Sequence, residues 1–356
     1  MMKLTNQQIF LLLFLLSMSF ASLIFSQTKE EDVATRFVTD VSGAGTSAAA
    51  FLEIGVGARA MAMGGAYASI ATDVSSLYWN PAGISWLPKM KAEFSHSEWL
   101  AETSYDYVGV VIPVPSLNSA IGLSFCSLDY GEQPVRTVES PDGTGEMYGA
   151  RDFAIGVSYA FSLTDRFSCG LTSKYIQQRI WSEAGSAFAL DIGIYYNTML
   201  QGLRLGACMS NFGTAMKLTG SHLRTIKDPD ETLTNYDRVP VDYTTSAYEL
   251  PLSFRFGASY ETMLGKYNKF SISTDVLHPN NRTESICLGM EYAFADMFYF
   301  RGGYQNLFER DSINGLTFGG GVQYSIRGSM VFNVDYSWAD WGVLKNVQQF
   351  TVSVAF

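Results

Sequence analysis

The chain has 356 residues, of which 47% are hydrophobic, 14% aromatic and only 16% charged. Its aromatic content excludes a disordered chain, and its formal net charge of −10 argues against a nucleic-acid-binding surface. Mean hydropathy is only +0.07, because 32 glycines and many Ser, Thr and Asn residues dilute the apolar ones. Beyond the N-terminus no apolar run approaches the ~20 residues of a transmembrane helix.

Residues 1–26 predict a secretory signal peptide. Lys3 supplies a positive charge, and the stretch 9–25 is almost wholly apolar, with small residues near its end. An N-terminal membrane anchor remains the alternative at this point. We expect an exported protein: Ser19-Phe20-Ala21 fits the cleavage pattern, and a cut after Ser26 is the alternative.

Residues 27–89 do not alternate between polar and apolar side chains, and the part from 41 to 85 is dense in Gly and Ala. Small residues allow irregular backbone to pack closely, so we expect this segment to form a hatch that closes a barrel. Short helices are predicted over 46–52 and 74–79, the second with Asp73 as its N-cap. Asn80, Pro81 and Gly83 predict the end of that helix, because Pro81 lacks an N–H and glycine accepts a left-handed turn.

Residues 90–356 alternate between apolar and polar, the pattern of strands with two different faces. Met330, Phe332 and Val334, for example, alternate with Val331, Asn333 and Asp335. Strands in a membrane need about 9–11 residues, whereas soluble strands average about five or six. The even number of segments and their length therefore predict an all-β protein, a transmembrane antiparallel β-barrel of about fourteen strands. The predicted strands lie near 90–98, 103–114, 118–128, 149–161, 166–178, 185–198, 203–213, 250–262, 268–277, 284–294, 298–306, 315–326, 330–339 and 347–356.

The connections between these strands alternate between short and long, as expected of periplasmic turns and outer loops. The longest, 129–148 and 214–249, are predicted to lie outside. Bulky apolar residues face lipid, whereas Gly, Ser, Thr and scattered charges face the lumen. If 295–297 is a tight turn, Glu291 lies opposite Arg301, a pairing that contributes about 0.2–1 kcal/mol. We interpret the lumen charges, among them Arg255, Glu291, Arg301 and Asp335, mainly as bracing of the barrel interior, with a substrate role as the alternative.

The sequence carries no convincing catalytic or metal-binding motif. His96, His222 and His278 lie in or beside different loops without ligand spacing, and the four cysteines are far apart. We therefore predict a protein that is not an enzyme and has no cofactor.

The run from Gly57 to Ala68, followed by Asp73 and by Tyr78-Trp79-Asn80-Pro81-Ala82-Gly83, resembles the N-terminal signature of the PorV/PorQ family of outer-membrane proteins. This family belongs to the FadL-like group of fourteen-stranded barrels. Strand segments such as Arg301-Gly302-Gly303-Tyr304 are similar to the family's recurring strand motifs. The signature residues are Gly57, Arg59, Gly64, Gly65, Asp73, Asn80, Pro81 and Gly83.

The resemblance implies a FadL-like barrel in the outer membrane of a Gram-negative bacterium, in contact with outer-membrane lipid and with Phe356 read by the assembly machinery. It also implies a non-enzymatic part in type IX secretion. The barrel would bind a large translocon barrel and secreted proteins that carry a C-terminal sorting domain. Loops 129–148 and 214–249 would form the contacts, with Tyr236, Tyr243 and Tyr248 as candidates.

A FadL-like channel for hydrophobic solutes, such as long-chain fatty acids, is the alternative function. It predicts an apolar pocket beside the hatch, lined by Phe51, Leu52, Met61 and Met63. The protein-binding function predicts instead a filled lumen and an exposed apolar patch on the outer loops.

Overall fold

The computed structural model describes residue 43 and residues 45–227, 239–309, 312–326 and 330–356. The predicted signal peptide and Tyr236 lie outside these residues. In the described ranges, no helix has both the length and the apolar character needed to cross a membrane.

Fourteen antiparallel strands form a closed barrel, which confirms the predicted fold. Barrel strands that follow one another in the chain pair with each other, the longest loop separates the seventh from the eighth, and the last strand closes the barrel against the first. Because a closed barrel has no free edge, its backbone groups are paired without water. The barrel strands are β1 Lys91–Glu98, β2 Ser104–Val114, β3 Ser119–Pro134, β4 Met147–Thr164, β5 Phe167–Ile180, β6 Glu183–Asn197, β7 Leu203–Gly213, β12 Ser253–Met263, β13 Asn268–Pro279, β14 Ser285–Phe294, β15 Phe298–Leu307, β16 Leu316–Ile326, β17 Met330–Asp340 and β18 Asn346–Ala355.

Four short strands lie in the loop between β7 and β12. They are β8 Met216–Lys217, β9 Arg224–Lys227, β10 Val239–Asp242 and β11 Ala247–Tyr248. β9 pairs with β10, and β8 with β11, so this loop carries two small two-stranded ribbons. The long connections at this end of the barrel identify it as the outer end.

The two faces of each strand differ as the alternation predicts. On β4, Ile155, Val157 and Tyr159 are exposed on the outside, while Ala154 and Ser158 are buried inside.

β3 and β4 extend farther outward than the predicted limits of 128 and 149. Their pairing shifts by one residue between Asp129 and Glu132, and Gly131 takes a φ of 71°. This bulge inserts an extra residue without ending the ladder, and pairing resumes up to Pro134 and Met147.

Residues 45–89, which we call the hatch, contain four short helical turns. These are a 3-10 helix at Ala50–Glu53, α1 at Ala58–Ala62, α2 at Ser76–Trp79 and a 3-10 helix at Pro81–Trp86. The predicted helix over 46–52 is thus displaced towards Glu53. The predicted second helix begins two residues later than expected.

Two local predictions in the hatch are wrong. Asp73 does not cap α2; its carboxylate accepts hydrogen bonds from the hydroxyls of Ser75 and Tyr67 instead. Gly83 does not take a left-handed turn but lies within the second 3-10 helix. Glycine is needed there for space, because a Cβ would lie 1.8 Å from the carbonyl oxygen of Ala71.

The hatch packs inside the barrel against glycines of the inner wall. A Cβ at Gly206 on β7 would lie 2.1 Å from the carbonyl oxygen of Ala68. A Cβ at Gly303 on β15 would lie 2.4 Å from the amide nitrogen of Gly64. The strand glycines therefore bring hatch backbone and wall backbone into direct contact.

Candidate functional site: the hatch and its two cavities

Arg59 connects the hatch to the barrel wall. From α1 its guanidinium forms two hydrogen bonds to Glu291 on β14, with Nε–Oε2 and Nη2–Oε1 distances of 2.9 Å each. Its Nη1 lies 3.3 Å from Oδ2 of Asp73, within the hatch. One side chain thus bridges two hatch segments and a strand.

Glu291 also contacts Arg301, which lies directly opposite on β15. The Arg301 Nε–Glu291 Oε2 distance is 2.7 Å, and Arg301 Nη1 lies 2.6 Å from Oδ1 of Asp335 on β17. The five groups alternate in charge in the order Asp73, Arg59, Glu291, Arg301 and Asp335, and we call them the ionic network. Buried charges persist when each is paired and hydrogen-bonded, which holds for every member here.

Asp73 is ionised within this network. Burial by itself disfavours its charged form, but the Arg59 guanidinium, Lys91 and hydrogen bonds from Ser75 and Tyr67 outweigh that effect. The pKa of Asp73 therefore lies below its ordinary value of 3.8. The carboxylate consequently remains charged, as the contact with Arg59 requires.

A second anchor fixes the turn after α1. Gly64 and Gly65 adopt φ values of 65° and 72°, and the carbonyl of Gly65 accepts a 2.7 Å hydrogen bond from Nη1 of Arg255. The guanidinium of Arg255 also lies 4.6 Å from the ring centre of Trp79. Oδ2 of Asp275, on β13, accepts the backbone N–H groups of Tyr67 and Ala68 at 2.9 Å each.

Asn80 forms a third anchor and is fully buried. Its Nδ2 donates to the carbonyls of Ala68 and Ile194, at 2.8 and 2.9 Å, joining the hatch to itself and to β6. Its Oδ1 accepts the N–H of Ala82 at 3.2 Å and so caps the following 3-10 helix, which Pro81 begins. The Asn-Pro pair thus starts a helix as well as ending one.

The sequence analysis did not identify several wall residues that hold the hatch. Ser273 and Thr317 donate to the hatch carbonyls of Ala66 and Ala62, at 2.7 and 3.0 Å, and Thr351 accepts the N–H of Ala58 at 2.8 Å. Small polar residues on the lumen face were the available signal, but the sequence did not indicate which of them meet the hatch.

The lumen contains an outer cavity of about 560 Å³ above the hatch. Phe51, Leu52 and Met61 line it, as the channel hypothesis predicts. Met63 does not: it is fully buried within the hatch, in the cluster that contains Tyr67. That part of the predicted lining is wrong because Met63, which directly follows α1, packs into the interior of the hatch and not towards the cavity.

The outer cavity is rimmed by charged and polar side chains. Lys174 pairs with Asp191 at 2.8 Å, and Arg282 pairs with Glu53 of the hatch at 3.1 Å. Beside the outer cavity, three strands each contain a β-bulge that shifts their pairing by one residue. One side chain from each bulge lines the cavity. These side chains are Tyr130 on β3, Asn211 on β7 and Asn306 on β15.

An inner cavity of about 310 Å³ lies on the periplasmic side of the hatch. Its lining is strongly charged and includes Arg59, Asp73, Glu93, Arg204 and Lys269. Among the described residues, no group of three or more His, Cys, Asp or Glu side chains has an arrangement that could hold a metal ion. The hatch therefore separates a mixed apolar cavity from a charged one.

The outer loops expose apolar side chains. In the ribbon of β9 and β10, Ile226 and Val239 are exposed. Tyr243 directly follows β10, and 67% of its surface is accessible. Tyr248 on β11 is also exposed. Phe356 follows β18 and is half-exposed. Its N–H donates to the carbonyl oxygen of Met90 at 2.9 Å.

Residues 39–227 match the family model described as type IX secretion system protein PorV. The chain belongs to the PorV family. The match includes the hatch, its signature residues and β1–β7. The predicted family is therefore confirmed. A search of curated proteins found no match.

Solved outer-membrane barrels share the fold of this PorV-family chain. The toluene transporter TbuX of Ralstonia pickettii has 13% identity and a TM-score of 0.52, with 85% of this chain and 97% of that chain covered. The toluene transporter TodX of Pseudomonas putida has 12% identity and a TM-score of 0.51, with coverage of 85% and 97%. The monoaromatic hydrocarbon channel CymD has 14% identity and a TM-score of 0.52, with coverage of 85% and 96%. At these identities the likeness establishes the barrel architecture alone.

Proposed function

We propose that this PorV-family barrel is a non-enzymatic component of type IX secretion in the outer membrane of a Gram-negative bacterium. In this function its outer loops bind a large translocon barrel and secreted proteins with a C-terminal sorting domain. The observation that carries the proposal is the match to the PorV family over residues 39–227.

Two structural features support a protein-binding function. The hatch is fixed to the wall by the ionic network and by Arg255 and Asn80, so the lumen is obstructed. The ribbon of β9 and β10 exposes Ile226, Val239 and Val241, and exposed apolar side chains on a loop are suited to contact another protein.

Affinity purification of the tagged protein from native outer membranes tests this function. We expect the wild type to recover a large barrel protein and secreted proteins with sorting domains. Ile226→Asp/Val241→Asp should reduce that recovery at least fivefold. Met199→Asp is the matched control, because Met199 is 81% exposed in a turn at the opposite end of the barrel. Equal recovery with both variants would contradict the contact surface, and absence of these partners from the wild-type sample would contradict the function.

A FadL-like channel for hydrophobic solutes is the second candidate function, and the outer cavity favours it. Phe51, Leu52 and Met61 provide apolar lining, which suits a ligand with an apolar body or tail. TbuX and TodX, which share the fold, are toluene transporters. Uptake of labelled oleate or toluene by cells that express the protein tests it. Met61→Asp should abolish uptake, whereas Ile226→Asp/Val241→Asp should not change it.

A further inference from the structure

Two arginines lie side by side on the outer surface of the barrel, near the outer ends of β4 and β5. Arg151 and Arg179 are directly opposite each other in the ladder. Their neighbours Asp152 and Gln178 point inward and are hydrogen-bonded to each other, so both arginines point outward. Like charges directly opposite on one face destabilise a strand pair. This juxtaposition stands out in a chain with a net charge of −10.

The available carboxylate neutralises only one of the two charges. Arg151 forms an ion pair with Asp129 of β3, with a Nε–Oδ2 distance of 3.1 Å. Arg179 donates its Nε–H to the carbonyl of Trp181 at 3.0 Å. Within the described part of the chain, Arg179 has no carboxylate at ion-pair distance. Its two Nη groups are thus free to bind an anion.

The position of the pair along β4 corresponds to the level of the lipid headgroups. The outward-facing residues from Leu163 to Phe153 are all apolar, and Arg151 is the next outward residue. Ten residues at ~3.3 Å each, tilted by ~40°, span about 25 Å of membrane, which is the height of the apolar band of such barrels. Arg151 therefore lies just above the hydrocarbon layer.

An aromatic row directly below the arginines marks the same boundary. Ring centres lie 6.2 Å apart for Phe125 and Phe153, 6.3 Å for Phe153 and Tyr175, and 5.3 Å for Tyr175 and Phe188. Aromatic residues concentrate at the interface between hydrocarbon and headgroups. Gln177, which is opposite Phe153 and between Tyr175 and Arg179 on the outward face, adds an amide donor at this level.

We propose that Arg151 and Arg179, with Gln177, bind the phosphate group of an outer-leaflet lipid. Two guanidinium groups on adjacent strands offer paired donors to phosphate oxygens, and the charge-assisted bonds relieve the repulsion between them. The aromatic row would contact the acyl chains below. This site rests on the outer-membrane location and is independent of the secretion function.

Binding of bis-phosphorylated lipid A to the purified full-length protein in detergent tests the site. Arg151→Gln/Arg179→Gln should weaken binding at least tenfold. The matched control Arg166→Gln removes an exposed arginine at the periplasmic turn of the same hairpin, and it should bind within twofold of the wild type. Lipid A without phosphates should bind the wild type as weakly as the intact lipid binds the double variant.

Asp129→Asn should change the affinity for lipid A in the opposite direction, a result that misfolding of a variant cannot produce. Removing the competing carboxylate should strengthen binding of bis-phosphorylated lipid A severalfold. Equal binding by the wild type and the double variant, or equal binding of the phosphate-free lipid, would overturn the proposal. If millimolar inorganic phosphate displaces lipid A, and if binding of that phosphate also requires Arg151 and Arg179, the site binds a free anion and the lipid assignment is overturned.

Discussion

Arg59 and Glu291 are separated by 232 residues and form two parallel hydrogen bonds of 2.9 Å each. This pair links the hatch to β14, and through Arg301 to β15 and β17. Arg59 also contacts Asp73 within the hatch and Glu291 also contacts Arg301 in the wall, but the contact between Arg59 and Glu291 exists only when the hatch is seated. Movement of the hatch away from the wall would therefore break the contact between Arg59 and Glu291.

Arg59→Met should loosen the hatch. Removing one member of a buried ion pair leaves an uncompensated charge, and we expect a loss of about 3 kcal/mol in unfolding free energy. Urea unfolding of the purified barrel measures this loss, and planar-bilayer conductance should rise as the hatch moves. Arg166→Met, in an exposed turn, is the control and should change neither quantity.

Asn80→Asp should destabilise the hatch although it only replaces the side-chain amide with a carboxylate. The variant loses both donations to the carbonyls of Ala68 and Ile194 and sets a carboxylate against them. We expect a cost of about 3 kcal/mol. Asn118→Asp, in the exposed turn between β2 and β3, should change the urea midpoint little. Equal midpoints for the two variants would contradict the role of Asn80.

Gly206→Ala should prevent normal seating of the hatch, because the added Cβ would lie 2.1 Å from the carbonyl oxygen of Ala68. Overpacking of this kind costs about 1–3 kcal/mol. Gly302→Ala is the matched control on another strand, since the nearest atom to its Cβ would be 3.8 Å away. Susceptibility of the hatch to added protease should increase for the first variant alone.

The ionised state of Asp73 gives the hatch a dependence on pH. Because the folded-state pKa of Asp73 is below its unfolded value, its stabilising effect is complete above about 3.8 and is lost as pH falls through the folded-state pKa. Asp73→Asn should be less stable than the wild type at pH 7, and the difference should shrink on acidification below pH 4. Urea midpoints of both proteins between pH 3 and pH 7 measure this, and a constant difference would contradict it.

The alternation of side chains predicted the barrel because lipid and lumen impose different chemistry on the two faces of every strand. The same logic placed Glu291 opposite Arg301, since a three-residue turn after β14 determines which residues pair. The hatch sequence has no such alternation of polar and apolar residues, so its conformation could not be predicted in the same way. Its helices are short, and contacts with remote strands, such as the one between Asp275 and Tyr67, determine its path.

The cavities were only partly predictable for a related reason. Phe51 and Met61 were recognised as lining from their apolar character, whereas the orientation of Met63 depends on the turn at Gly64 and Gly65. The bulges that bring Tyr130, Asn211 and Asn306 to the outer cavity interrupt the alternation by a single residue. Such a shift is indistinguishable in the sequence from an ordinary strand end.

The hydrogen bond between the N–H of Ala58 and Thr351 has a consequence for biogenesis. Thr351 lies on β18, the strand that pairs with both β1 and β17 and thereby completes the cylinder. The hatch is thus held in part by the strand that joins the two ends of the sheet, so this hydrogen bond exists only when β18 is in place. Seating of the hatch and closure of the barrel are therefore linked at β18, because the same strand supplies contacts to both.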